Sequence, residues 1–139
     1  MPVVRTSEGL MGPGNRPEWC RVTAAGRFTV PARGGRFDRH YHDCAEYWLI
    51  YQGQAKVMTE GIEYLVGPGD IVCTEAGQEH DVVQVYEDLG AFFFEDELRI
   101  GGTSGHLHCH PSAAGGHEVW PGAPAGTDRE QEHPEGEPT

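Results

Sequence analysis

Residues 20–100 consist of short apolar-rich runs separated by glycine turns. Segments 21–30, 36–42, 46–51, 55–58, 62–66, 71–74, 82–86 and 91–95 are rich in β-branched, aromatic and other apolar residues, and Gly61, Gly67-Pro68-Gly69 and Gly77 punctuate them. Gln52-Gly53 reads as a further turn. Strict alternation in 36–42 predicts Phe37 and Tyr41 on one face, with Arg36, Asp38, His40 and His42 on the other. The same parity places Trp48 and Ile50 beside Glu46, and Gln84 beside His80. No stretch repeats its apolar positions at the roughly 3.6-residue helical period. Short strands at this spacing predict an all-β sandwich or barrel. Residues 1–19 read as an extended arm. Residues 101–139 form a separate tail rich in Gly, Pro and His, expected to dock through Leu107 and Trp120 and to be disordered beyond Gly122.

Composition narrows the function. The chain has 139 residues, enough for one core, and its 20 glycines and 10 prolines suit turns rather than long helices. A formal net charge of −12 argues against nucleic acid and against an anionic membrane surface, since both need a basic face. No run approaches the roughly 20 apolar residues of a membrane span. The first residues carry no apolar signal-like run, so a cytoplasmic location is expected. Cys20, Cys44, Cys73 and Cys109 form no CxxC pair, which argues against a zinc knuckle. Cys44, between His42 and Glu46, lies close enough to matter to the site, although a packed thiol is the default.

The chemistry concentrates in one run. His40 and His42 are two residues apart, so an extended chain presents both imidazoles on one side. Glu46 follows after a step long enough to turn, and His80 comes later. Three imidazoles and one carboxylate suit a divalent first-row metal. Zn, Fe, Mn or Ni would fit, with Zn or Fe favoured.

The run also resembles a known family. Gly34, five residues, His40-Tyr41-His42, three residues, Glu46, six residues and Gly53 match the first cupin signature at every fixed position. The second signature is similar to Gly69, five residues, Glu75-Ala76-Gly77, two residues, His80, three residues and Gln84. There Glu75 stands in place of Pro and Gln84 in place of Asn. The resemblance implies a cupin-type double-stranded β-helix, a jelly-roll barrel over 20–100. It also implies that His40, His42, Glu46 and His80 hold one metal at the barrel mouth.

Other residues are weighed on parity and type. Trp48 and Ile50 could floor a substrate pocket or fill the core, and Gln84 could reach a ligand or a bound water. Arg36 could bind a carboxylate or phosphate, or end its strand in solvent. Tyr41, Tyr47 and Tyr51 fall on the outer face and predict a homodimer. His106, His108 and His110 alternate like a second metal clip, or as a lid over the mouth.

A cupin fold does not select a reaction. The resemblance implies first a metal-dependent enzyme acting on a small, polar, oxygen-rich metabolite by Lewis-acid and proton-transfer chemistry. Isomerases, epimerases, lyases and natural-product rearrangements belong here, including N–N bond formation with a partner enzyme of a biosynthetic pathway. The second possibility is a non-haem iron dioxygenase, and the third a non-catalytic ligand-sensing module.

Overall fold

The computed structural model describes residues 3–122. The disorder expected beyond Gly122 lies outside the described residues. The order of strands is β1 (Ala24–Val30), β2 (Arg36–Phe37), β3 (Glu46–Thr59), β4 (Ile62–Val66), β5 (Ile71–Thr74), β6 (His80–Glu95), β7 (His117–Glu118) and β8 (Trp120–Pro121). Two 3-10 turns, Thr6–Glu8 and Pro111–Gly115, are the helical content of the described residues. No helix among those residues is long and apolar enough to cross a membrane.

The strands build a cupin-type double-stranded β-helix. One sheet runs β1-β6-β3-β4, with β5 also on β3 and β8 on β6, while β2 pairs with β7 in a small second sheet. The core is mainly aliphatic. Val30, Ile50, Val57, Val82, Val85, Leu89 and Val119 are nearly sealed from solvent, and each buried side chain contributes about 1.5–3 kcal/mol.

Two pairs of expected strands are single long strands. Segments 46–51 and 55–58 merge into β3, and 82–86 and 91–95 merge into β6. Gln52-Gly53 is therefore a strand irregularity rather than a turn between strands. The register between β3 and β6 shifts repeatedly from Ile50 to Ala55. Such bulges bend a strand and let it wrap around a core. Gly53 sits there at φ 82°, and a Cβ on it would lie 2.0 Å from the Asp88 carbonyl oxygen. Gly61 has a similar φ of 83° but faces open space. Gly53→Ala is therefore expected to cost about 2–5 kcal/mol, from left-handed strain plus a backbone clash. Gly61→Ala should cost only the strain, about 1–2 kcal/mol. Urea denaturation of the two variants checks the difference, and equal losses would remove the close approach as the reason for Gly53.

Alternation across 36–42 fails. Regular pairing in β2 stops after Phe37, and Asp38 and Arg39 lie outside any strand. The parity resets there, so Phe37 faces inward and its ring stacks on His40 with centroids 5.4 Å apart. Tyr47 and Tyr51 lie on the outer face as expected, beside exposed Leu49, Ile71 and Phe94.

The arm and tail are both tied to the barrel. Met11 pairs with Ala25 on β1. Leu107 pairs with Tyr41, and β7 and β8 dock further along. Val119 is the anchor of the docked tail at 2% exposure, whereas Trp120, the expected anchor, is 71% exposed.

Candidate metal centre

His40 and His80 are brought together by the backbone. They form an isolated antiparallel bridge, with His80 N–H donating to His40 O at 2.9 Å and His40 N–H to His80 O at 3.3 Å. His42 follows on the same side, and Glu46 opens β3 after a short turn. All four side chains are buried, and one ligand atom from each lies within 4.8 Å of the others.

The imidazoles are oriented from behind. His40 Nδ1 donates to the Asp38 carbonyl and His42 Nδ1 to the Gly105 carbonyl at 3.0 Å, while His80 Nδ1 lies 3.2 Å from Thr74 Oγ1. Thr74 is held by Thr59, Oγ1 to Oγ1 at 2.6 Å. Hydrogen bonds at Nδ1 to carbonyl oxygens fix the tautomer and leave Nε2 as the lone-pair nitrogen. The Nε2 atoms point at a shared centre: His40 to His80 is 2.9 Å, and His80 to Glu46 Oε1 is 3.0 Å. His42 Nε2 is 3.4 Å from Glu46 Oε2, off hydrogen-bond geometry, and is buried without a hydrogen-bond partner among the described residues. A buried orphan nitrogen is costly. Converging lone pairs need a cation between them, so this donor set fits a divalent ion.

Electrostatics agrees with that assignment. Burial, with His80 and His106 nearby, pushes His40 down to about 3, so it stays neutral and able to ligate. Burial works to raise Glu46, but His42 and His80 outweigh it and hold the carboxyl well below its ordinary range. Burial lowers His42, yet the adjacent Glu46 and Glu95 carboxylates prevail and raise it above 6.5. The sign for metal binding follows. Above its pKa His42 offers a lone pair, and below it a proton competes with the metal. Zinc affinity should thus fall by roughly tenfold per pH unit, beginning above about pH 6.5, the ordinary imidazole value. Competition titrations between pH 8 and 6 measure this, and a flat profile would contradict it.

A cavity of about 240 Å³ opens onto the centre. His40, Glu46 and Glu95 form its polar end, and Phe28, Phe37, Trp48 and Phe93 its walls. Trp48 donates from Nε1 to Glu46 Oε1 at 2.9 Å, so it both lines the cavity and orients the carboxylate. Ile50 shares its parity but packs in the core cluster, away from the cavity lining. Arg36 lines the mouth, its guanidinium donating to the Gly115 and Gly116 carbonyls. Gln84 is placed elsewhere: Lys56 pairs with Gln84 but Val57 pairs with Val82, so a bulge flips the parity after His80. Its amide donates to Pro121 O at 3.2 Å and holds the tail.

The alternating tail histidines separate. His106 Nδ1 and His108 Nε2 both reach Asp38 Oδ2, at 2.8 and 2.7 Å, and His106 stacks on His40 at 3.7 Å. His106 forms a second group of potential ligands with Asp38 and His40, whereas His110 joins neither group among the described residues. His106 thus lies directly over His40 at the edge of the ligand cluster. Cys44 is buried 3.8 Å from Glu95 Oε1, and burial with the Glu95 and Asp96 charges pushes its thiol up to about 12. It stays protonated and is absent from the ligand cluster.

Sequence reasoning did not single out Glu95. It pairs across strands with Glu46 and is buried. Burial raises its carboxyl to about 7; His42 opposes the rise and the Glu46 charge adds to it. An acidic residue closing the Phe92-Phe93-Phe94 run was the available signal.

Comparison with known proteins agrees with the architecture. The family model described as "Cupin domain" matches residues 26–93. The chain is 37% identical over 111 residues to the uncharacterized protein y4oW of Sinorhizobium fredii, which covers 72% of this chain and 51% of the relative. It thus spans about half the length of that relative. Among solved structures, a conserved double-stranded β-helix protein of Klebsiella pneumoniae superposes with a TM-score of 0.55 at 16% identity, over 78% of this chain and 98% of that one. The DMSP lyase DddQ of Ruegeria pomeroyi superposes with a TM-score of 0.56 at 24% identity, over 66% and 45%. These structural likenesses speak for fold alone. With the matched domain, the wrapped strands and the two signatures in agreement, residues 26–93 of this chain form a cupin domain.

Proposed function

We propose that this protein is a metal-dependent enzyme that moves a proton on a small oxygen-bearing metabolite, in the isomerase, epimerase or lyase class. The single observation that carries this reading is the paired carboxylates Glu46 and Glu95. They are cross-strand neighbours at one end of one cavity, and their surroundings drive their proton affinities apart. Glu46 stays ionised beside His42 and His80 and serves as a ligand. Glu95 lies in the same cavity outside that ligand set and can take up or release a proton near neutrality.

His40, His42, Glu46 and His80 would hold the ion, which would supply Lewis acidity toward a carbonyl or hydroxyl oxygen. The rest is done by the chain. The aromatic walls exclude water and confine the ligand. Trp48 Nε1 holds Glu46 in place. The His106 ring caps His40, and the Gly105 carbonyl keeps His42 in its ligating tautomer. Likeness of fold to a lyase is compatible with this class. The cavity is smaller than the roughly 300 Å³ lower bound for drug-sized ligands, which suits a compact metabolite.

The test compares metals and oxygen. Zinc-loaded protein should support full turnover under anaerobic conditions. Oxygen consumption by iron-loaded protein, with no turnover by the zinc form, would overturn this reading in favour of a dioxygenase.

A further inference from the structure

We infer that the cavity is built for a small organic acid with a flat apolar body, its anionic group held by Arg36 at the mouth. This rests on the metal-site reading only for the inner end of the ligand. Four rings set the body. Trp48 stands 5.3 Å from Phe28 and 5.6 Å from Phe37, both edge-on, and Phe93 completes the wall 6.5 Å from Phe28. Such walls offer no partners for the hydroxyls of a sugar, and each buried unpaired hydroxyl is penalised. They reward a flat apolar surface instead.

Charge sets the outer end. The chain carries a net −12, so its long-range field repels anions. Arg36 is the one Arg or Lys lining the cavity among the described residues, beside His40 and His106. One of its terminal nitrogens is anchored by the Gly115 and Gly116 carbonyls of the docked tail. An arginine has five N–H donors in a fixed fork, so donors are left for a carboxylate. The groove continues past Arg36 along Phe37, Asp38, His106, His108 and the tail glycines; the Asp38 carboxylate there is engaged by His106 and His108, so the Arg36 guanidinium remains available to the ligand's anionic group. The docked tail thus contributes to specificity by positioning a guanidinium that the barrel alone would leave loose.

Trp48 supplies the readout. Trp19 and Trp120 are 79% and 71% exposed and can be replaced by Phe, leaving Trp48 emission to report the cavity. Titration of this zinc-loaded protein with 4-formylbenzoate, whose carbonyl and carboxylate lie at opposite ends of the ring, should quench saturably, and its methyl ester should bind about tenfold more weakly. Arg36→Gln should erase most of that preference while leaving ester affinity unchanged, which also shows that the cavity is intact. Arg36→Lys should retain part of it. Equal affinity for acid and ester in the unmodified cavity overturns the inference, as does tighter binding of glucose or phenyltrimethylammonium. Zinc content measured on the same samples separates the two readings. Arg36-dependent acid binding without stoichiometric zinc would overturn the metal assignment and keep this one. Stoichiometric zinc without acid preference would do the reverse.

Discussion

His80→Ala is expected to lower zinc affinity by about 60- to 700-fold. Zinc bound by four protein ligands is held by about 10–16 kcal/mol in well-studied small domains, or about 2.5–4 kcal/mol per ligand, and each 1.4 kcal/mol is tenfold. His80 is the ligand whose loss is hardest to compensate. It is 1% exposed, Thr74 orients it from behind, and the backbone bridge to His40 fixes its position. The Trp48 ring packs 4.4 Å from the His80 ring and closes that side of the site. His110→Ala is the matched control, since His110 joins no ligand group. Elemental analysis of the two variants, purified without a histidine tag, is the measurement. Full occupancy in His80→Ala would refute the centre.

Glu95→Gln is expected to lower turnover by about 10²–10⁴-fold with metal content unchanged, the range for loss of a positioned acid or base. Glutamine keeps the shape and removes the proton carrier. The pH profile distinguishes this from a packing defect. Glu95 acts as a base when ionised, so the wild-type rate should fall as pH drops through its pKa. That value is about 7 in the metal-free site, and a bound divalent charge lowers it, so the acid limb lies at or below about pH 7. With zinc kept saturating at every pH, so that protonation of His42 does not empty the site, the limb should vanish in Glu95→Gln. Solvent deuterium incorporation beside a substrate carbonyl gives a direct rate. Unchanged exchange, or an unchanged acid limb, would remove Glu95 from the chemistry.

Three of the four clustered side chains were legible because their geometry is local, and His80 because it falls at the fixed histidine of the second signature. His40-x-His42 needs only an extended chain, and Glu46 only a short turn. Parity carried correctly along the first part of β3, where Glu46, Trp48 and Ile50 all point inward. It failed at Phe37, where strand pairing stops, and at Gln84, where a bulge inserts one residue and inverts every later side chain. The Gln52-Gly53 turn signal was misread for a related reason. A glycine at positive φ marks either a turn or a bulge, and only the partner strand tells which.

Length, glycine spacing and the two signatures were thus enough to set the architecture and to pick out the four side chains that cluster, because each depends on residues close along the chain or on a fixed motif. Which carboxylate stands opposite Glu46, which tail histidine lies on His40 and which residue anchors the tail depended on pairings across 49, 66 or more positions. Those pairings put Glu95 into the cavity, set Arg36 against the tail carbonyls and buried Val119 in place of Trp120. Such contacts are chosen by the packing of the whole barrel, where burial and neighbouring charge act through space, and no local pattern encodes them.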